Sequence, residues 1–180
     1  MRSDKLSVKT ILKNKHYAII RRLFKDKEKV KNLSYGDSSI SEEWKDFENF
    51  RKWAIAQIGH QHSDWHIDKD ILIKGNKIYS ADTCCFIPLR INILFTSRKA
   101  GRGDYPLGVC KSSNGKSYTA QSRDGKRKVH LGTYSNPEDA FYAYKTYKEN
   151  LIKLVANEYK GIIADNVYEA LINYKIEITD

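Results

Sequence analysis

The feature that most narrows the possible folds lies just past the middle of the chain. Three short runs of strand-forming residues, Leu107–Lys111, Ser117–Arg123 and Arg127–Tyr134, are separated by Ser112-Ser113-Asn114-Gly115-Lys116 and by Asp124-Gly125. Asn-Gly and Asp-Gly tolerate the positive φ of tight hairpins, so the spacing predicts a three-stranded antiparallel meander. Such a sheet needs a helix over one face, and the next residues announce one. Ser135-Asn136-Pro137-Glu138-Asp139 offers a cap, a proline for the first turn and acids for the helix dipole. Ala140, Tyr144, Tyr147, Leu151 and Leu154 form the expected apolar stripe, and Gly161 the stop. Asn166-x-x-Glu169 resembles a capping box for a last short helix carrying Val167, Leu171 and Ile172.

Alternation along the strands sorts the residues into two faces. Tyr118, Ala120, Val129 and Leu131 suit the helix side. The other side then displays Gln121, Arg123, Lys128 and His130, with Lys111 or Cys110 beside them. A bulge near Asp124-Gly125 would swap positions such as Arg127. Arginine and lysine donate to guanine edges and to phosphates, glutamine pairs with adenine, and a small sheet fits the major groove.

The first half reads differently. Residues about 8–30 place Val8, Ile11, Leu12, Ile19, Ile20, Leu23 and Phe24 at roughly helical spacing, with Asn14-Lys15-His16 as an interruption. Ser34–Ser39 reads as a loop, and Ser41 starts a helix through Trp44, Phe47, Phe50 or Arg51, Ala54 and Ile58 that Gly59 ends. A strand is expected over Trp65–Ile73, a turn at Lys74–Lys77 and a second strand at Ile78–Tyr79. Ser80-Ala81-Asp82-Thr83 would cap a helix across Cys84–Leu94, its start bent or delayed by Pro88. The result is a ββα unit. His66, Asp68 and Asp70 alternate, so they would share a strand face, a set of imidazole and carboxylates suited to a divalent cation or to a solvated strand.

Charge placement bears on partners. Residues 1–31 hold 11 basic against 3 acidic groups, a net of +8, and residues 98–134 hold 9 against 2, a net of +7. Residues 32–97 (7 against 9) and 135–180 (5 against 8) are mildly acidic. Concentrating cations in blocks favours phosphate binding, whereas a merely solvated surface scatters them. The three cysteines Cys84, Cys85 and Cys110 are an odd number without a Cys-x-x-Cys pair, which argues against a disulfide framework and a thiolate zinc site. No apolar run is long enough to span a bilayer and the polar start lacks a signal-peptide core, so a cytoplasmic protein, in a host cell if phage-encoded, is expected.

Two resemblances add to this reading. Tyr105-Pro106-Leu107-Gly108-Val109, Tyr118–Arg123, Leu131-Gly132-Thr133-Tyr134 and Pro137–Tyr144 resemble the plant ethylene-response-factor (Apetala-type) DNA-binding domain over about residues 103–160. That family lays a three-stranded sheet in the major groove with a helix behind it. By position the likeness nominates Gln121, Arg123, Arg127, Lys128 and His130, to which Lys111 and Lys126 are added as neighbouring cations. Cys110, Tyr118 and His130 depart from the plant pattern, so a target sequence does not carry over.

The N-terminal part, about residues 15–95, resembles phage-type HNH homing endonucleases. The likeness rests on His16-Tyr17, Arg21-Arg22, Tyr35-Gly36-Asp37, Glu43–Phe47, Trp53, Ile67–Asp70, Gly75-Asn76-Lys77, Tyr79-Ser80 and Ile91-Asn92. It implies a strand histidine as general base and one metal, Mg²⁺, held by Asp68, Asp70 and Asn92. The position of that histidine holds Lys69, and a protonated lysine cannot accept the proton. His66 lies two residues away, about 6–7 Å along a strand, too far for the same task.

The expectation is therefore an α+β protein: N-terminal helices and a ββα unit (residues 1–97), a linker (98–104), then a sheet on a long helix with a short C-terminal helix (105–180). Its expected function is binding of double-stranded DNA, without a membrane partner and with a decayed nuclease site. An active Mg²⁺-dependent homing or nicking endonuclease is the alternative. The second is an inhibitor of a host DNA-processing complex, making protein contacts through Tyr142, Tyr147, Tyr159, Tyr168 and Tyr174.

Overall fold

The computed structural model describes residues 6–25, 38–96, 104–113, 115–124 and 127–180. They form an α+β fold of two compact units, one built from the chain up to Leu89 with Gly161–Val167, the other from Arg90–Lys160 and Tyr168–Asp180. The Tyr35-Gly36-Asp37 segment, residues 26–30 of the first expected helix, and all of the expected linker except Asp104 lie outside the described residues. Among the described residues, no helix is long and apolar enough to cross a membrane.

In the first unit α1 (Val8–Ile20) starts at Ser7, whose Oγ accepts the amide of Thr10 at 3.2 Å. It runs through Asn14-Lys15-His16 without a break into a π-helical turn at Arg21–Lys25, burying Ile11, Leu12, Ile19 and Leu23. After β1 (Ser39–Ile40), the single helix expected from Ser41 is two, α2 (Glu42–Lys45) and α3 (Phe47–Ile55). Asp46 is extended, and its carboxylate accepts the amide of Asn49 at 3.0 Å, starting a new helix. α3 ends at Ile55, short of Gly59.

The hairpin that follows has other members than expected. β2 (Trp65–Asp68) pairs antiparallel with β4 (Cys85–Pro88), Trp65 opposite Pro88 and Asp68 opposite Cys85. Ile78–Tyr79 is indeed a strand, β3, but it pairs in parallel with β1. Residues placed in a helix from Cys84 are extended, and α4 (Leu89–Phe95) starts only beyond Pro88. Cys85, Phe86, Ile87 and Pro88 are all buried. A short run apolar on both sides carries no period that separates strand from helix. Trp53 stacks on Phe86 at 5.6 Å and meets Trp44 at 4.4 Å with its ring tilted, tying α2 and α3 to this hairpin. The strand–strand–helix order survives with a different second strand.

In the second unit β5 (Val109–Lys111), β6 (Tyr118–Arg123) and β7 (Lys128–Tyr134) form the expected antiparallel sheet in sequence order. α5 (Pro137–Glu158) packs across it, opened by Asn136, whose Oδ1 accepts the amide of Asp139 at 2.8 Å. Its buried stripe is Ala140, Phe141, Tyr144, Lys148, Ile152, Val155 and Ala156, and Leu154 is 56% exposed. A stripe that avoids charged residues settles on Tyr147 instead of Lys148, one residue around the helix. The four-carbon stem of Lys148 packs as a hydrophobe, and burial pushes its ammonium down to about 8. Tyr144 sits against bare backbone: Gly108 has φ 74°, and a Cβ there would lie 2.0 Å from the Tyr144 ring.

α6 (Asp165–Ile172) begins one residue before Asn166, whose Oδ1 accepts the amide of Val167 at 2.9 Å. The chain then returns to α5, where Glu149 accepts the amide of Ile176 at 2.9 Å and pairs with Lys145 at 2.9 Å. Burial acts to raise the pKa of Glu149. The amide of Ile176 and the charges of Lys145 and Lys175 outweigh it and hold the carboxyl below its ordinary range. A group whose folded pKa is depressed stabilises at neutral pH, and that stabilisation fades as pH falls through the folded value. Glu149→Gln should therefore cost about 1 kcal/mol at pH 7 in urea unfolding. The gap to the parent should shrink once pH drops below the ordinary glutamate value of about 4.3. A gap that stays constant down to acid pH would show that the charge of Glu149 does not hold the C-terminal segment.

Candidate nucleic-acid interface

The helix side of the sheet is set by its buried residues. Val109 faces Ala120 across β5–β6, and Ser122 faces Val129 across β6–β7. Alternation then turns Thr119, Gln121 and Arg123 of β6 to the opposite, open face, with Cys110 beside Thr119. On β7, Lys128 stands opposite Arg123 and His130 opposite Gln121. No carboxylate lies on these register positions.

A β-bulge completes the arrangement. Ala120 pairs with Gly132 but Gln121 pairs with His130, which leaves Leu131 as the extra residue. The bulge thus sits at Leu131-Gly132 rather than near Asp124-Gly125. Gly132 has φ 139°, and a Cβ there would lie 2.8 Å from the Tyr134 hydroxyl. By resetting the alternation, the bulge turns His130 and Thr133 to the same open face, with Thr133 opposite Thr119. Thr133 was missed in the sequence because strict alternation assigns it with Leu131; Gly132 was the available signal.

The other nominated cations are placed less centrally. Lys111 pairs with Tyr118, so it has the parity of Val109 and the helix side, although it is exposed at the strand end. Arg127 is exposed in the turn before β7, where its amide donates to Asp124 Oδ1 at 2.9 Å. Lys126 lies outside the described residues. Arg123, Lys128 and His130 are exposed and Gln121 is half-buried, and among the described residues none of these side chains makes an ion pair or hydrogen bond. Their donors point at solvent.

The tyrosines considered for protein contacts lie on α5 and in the segments after it. Tyr142 is 60% exposed and Tyr147 half-buried on α5. The Tyr168 hydroxyl donates to Asn157 Oδ1 at 2.7 Å, and the Tyr174 ring meets Phe95 at 4.9 Å.

In the first unit the expected trio His66, Asp68 and Asp70 is split, because β2 ends at Asp68 and alternation ends with it. His66 is exposed. The half-buried Asp68 accepts the amides of Asp70 at 2.7 Å and Ile71 at 2.8 Å through Oδ1, turning the chain out of the strand. Burial raises the pKa of Asp68, against the lowering effect of those two amides. Asp70 gives both oxygens to the ammonium of Lys69, at 2.8 and 2.9 Å. Lys69 is 6% exposed and also donates to the carbonyl of Asn76 at 2.8 Å. Asn76 answers with donations to the carbonyls of Lys69 at 2.8 Å and Ile78 at 2.7 Å.

These residues do not fit a divalent cation, since an ammonium holds one carboxylate and two amides occupy an oxygen of the other. Among the described residues, no group of three or more His, Cys, Asp or Glu could hold a metal ion. Asn92, half-buried on α4, belongs to the other compact unit. Burial pushes the thiols of Cys84 and Cys85 up, Cys84 to about 12, and all three cysteines are free.

Lys69 therefore acts as the internal cation of the loop between β2 and β3. Lys69→Met keeps the stem and removes the charge, and should destabilise the chain by about 1–3 kcal/mol in denaturant unfolding. Combining it with Asp70→Asn should cost less than the sum of the two single changes. Strict additivity would mean that the pair contributes nothing to the fold.

No family model, curated protein or solved structure matches the chain.

Proposed function

We propose that the chain binds double-stranded DNA, laying the open face of the β5–β6–β7 sheet into the major groove. One observation carries this reading. The cross-strand pairs Arg123–Lys128 and Gln121–His130 gather on a face where, among the described residues, no carboxylate lies and no partner neutralises them. A small sheet gains nothing in stability from two like charges directly opposite each other, and loses a little. A polyanion repays that cost by exchanging its condensed counterions for the two cations. Glutamine and histidine beside them supply donors and acceptors that match base edges, while the flanking threonines suit phosphates or thymine methyls. The likeness of residues 103–160 to the Apetala-type domain supports the same docking.

Binding, rather than cleavage, is the activity this reading assigns. At the position where HNH-type chemistry needs a proton acceptor, the chain has an ammonium held by Asp70. The alternative, an active endonuclease, has no such supporting observation.

Duplex binding followed by fluorescence anisotropy over a salt series tests the proposal. Affinity should fall steeply with salt. Arg123→Ala with Lys128→Ala should weaken binding by about tenfold or more and flatten the log–log salt slope by up to about two. Gln121→Ala should alter preference among duplex sequences at nearly the same slope. Unchanged binding in the double variant would sink the reading, and Mg²⁺-dependent cutting abolished by Asp68→Ala would favour the endonuclease instead.

A further inference from the structure

We infer that the uncharged end of the open face, formed by Cys110, Thr119 and Thr133, selects the C5-methyl group of a pyrimidine in the major groove. The inference rests on the reading of the chain as a DNA-binding protein and names a base feature for the sheet to recognise. The three residues are neighbours by register: Thr119 of β6 stands opposite Cys110 of β5 on one side and Thr133 of β7 on the other. They form a row across all three strands, with Thr133 exposed and the other two half-buried. From this row the open face continues along β6 through Gln121 to Arg123, its charged end. Same-face residues of a strand are about 6.8 Å apart. Base pairs rise by about 3.4 Å, so each such step spans about two of them when the strand follows the groove. A duplex seated on Arg123 and Lys128 then brings Thr119 to a base pair about two steps beyond the one at Gln121.

What the row offers such a base pair is methyl and sulfur surface. No lysine, arginine or histidine occupies its three positions, and the neighbouring Lys111 has the parity of the helix side. A phosphate placed there gains no charged partner, and charged partners are what make phosphate contacts strong. Cys110 suits a phosphate no better. A thiol is a weak donor that packs like a small hydrophobe, and this one already donates to the carbonyl of Thr119 at 3.8 Å. Threonine is β-branched, so a stiff χ1 holds its methyl in place at little further cost in entropy. Thymine is the base that presents an apolar group in the major groove, and threonine methyls fit it. The same group occurs on 5-methylcytosine, so the shared chemistry is a C5-methylated pyrimidine.

Duplexes that differ only in this methyl test the inference. In anisotropy titrations the full chain should bind a duplex of alternating adenine and thymine about three- to tenfold more tightly than the same duplex with uracil for thymine. Thr119→Ser with Thr133→Ser removes the protein methyls and keeps the hydroxyls; it should bring that ratio close to one without changing the salt slope. Thr119→Val with Thr133→Val keeps the methyls and drops the hydroxyls, and should retain the preference. Comparing ratios within each variant cancels any loss of folded protein. A second pair, alternating guanine with cytosine or with 5-methylcytosine, separates the two sources of the methyl: preference in both pairs assigns either pyrimidine, preference in one assigns that base. If the methyl changes affinity in neither pair, the inference fails, while salt-dependent binding to all four duplexes leaves the proposed function standing. It fails equally if the serine variant weakens every duplex alike and flattens the salt slope, the mark of a phosphate contact. Absence of binding to all four at low salt removes the proposed function as well.

Discussion

A three-stranded sheet has two faces and the second unit has one long helix to cover them, and most of that unit follows from which face the helix takes. α5 settles on Val109, Ala120 and Ser122, residues small enough to let a helix come close, and Gly108 lets the Tyr144 ring lie on bare backbone. Burying that side returns the hydrophobic gain that holds sheet and helix together. What alternation leaves for the other side is polar and cationic. The residues of the open face are therefore not arranged independently of the fold; they are the complement of its core.

The bulge at Leu131 refines that complement. An uninterrupted β7 would send Leu131 and Thr133 to the same side, one of them wrongly placed whichever side that was. One extra residue lets Leu131 stay toward the helix while His130 and Thr133 both turn out. Local irregularity thus reconciles a hydrophobic requirement on one face with a polar requirement on the other.

The first unit handles charge by different means. Around the loop between β2 and β3, Lys69 satisfies Asp70 and the backbone of Asn76, so the loop closes on a cation supplied by the chain itself. On the α1 side of the same strand, Lys15 donates to the carbonyls of Ser63 and Trp65, and Arg22 to the hydroxyl of Tyr79.

Much of the second unit could be read from the chain alone. Asn-Gly and Asp-Gly place hairpins through local φ preferences, and Asn136-Pro137 starts a helix through capping, effects that reach only a few residues. The parity of Gln121, Arg123, Lys128 and His130 followed from the same short-range geometry. Where partners come from far along the sequence, local rules were silent. Whether Trp65–Asp68 pairs with Ile78–Tyr79 or with Cys85–Pro88 depends on which run the Trp53 and Trp44 rings can bury, and only the assembled core decides it. Lys148 inside the α5 stripe, Lys69 against Asp70, and Lys15 beside His66 were equally hidden, because a charge letter does not say whether its stem is packed or its head is paired. The hairpin turns of the second unit, the start of α5 and the parity of Gln121, Arg123, Lys128 and His130 were thus determined by the sequence itself. Strand partners, the fate of each cation and the loss of a metal-ready carboxylate pair were decided by tertiary packing, which alone sets distance and dielectric.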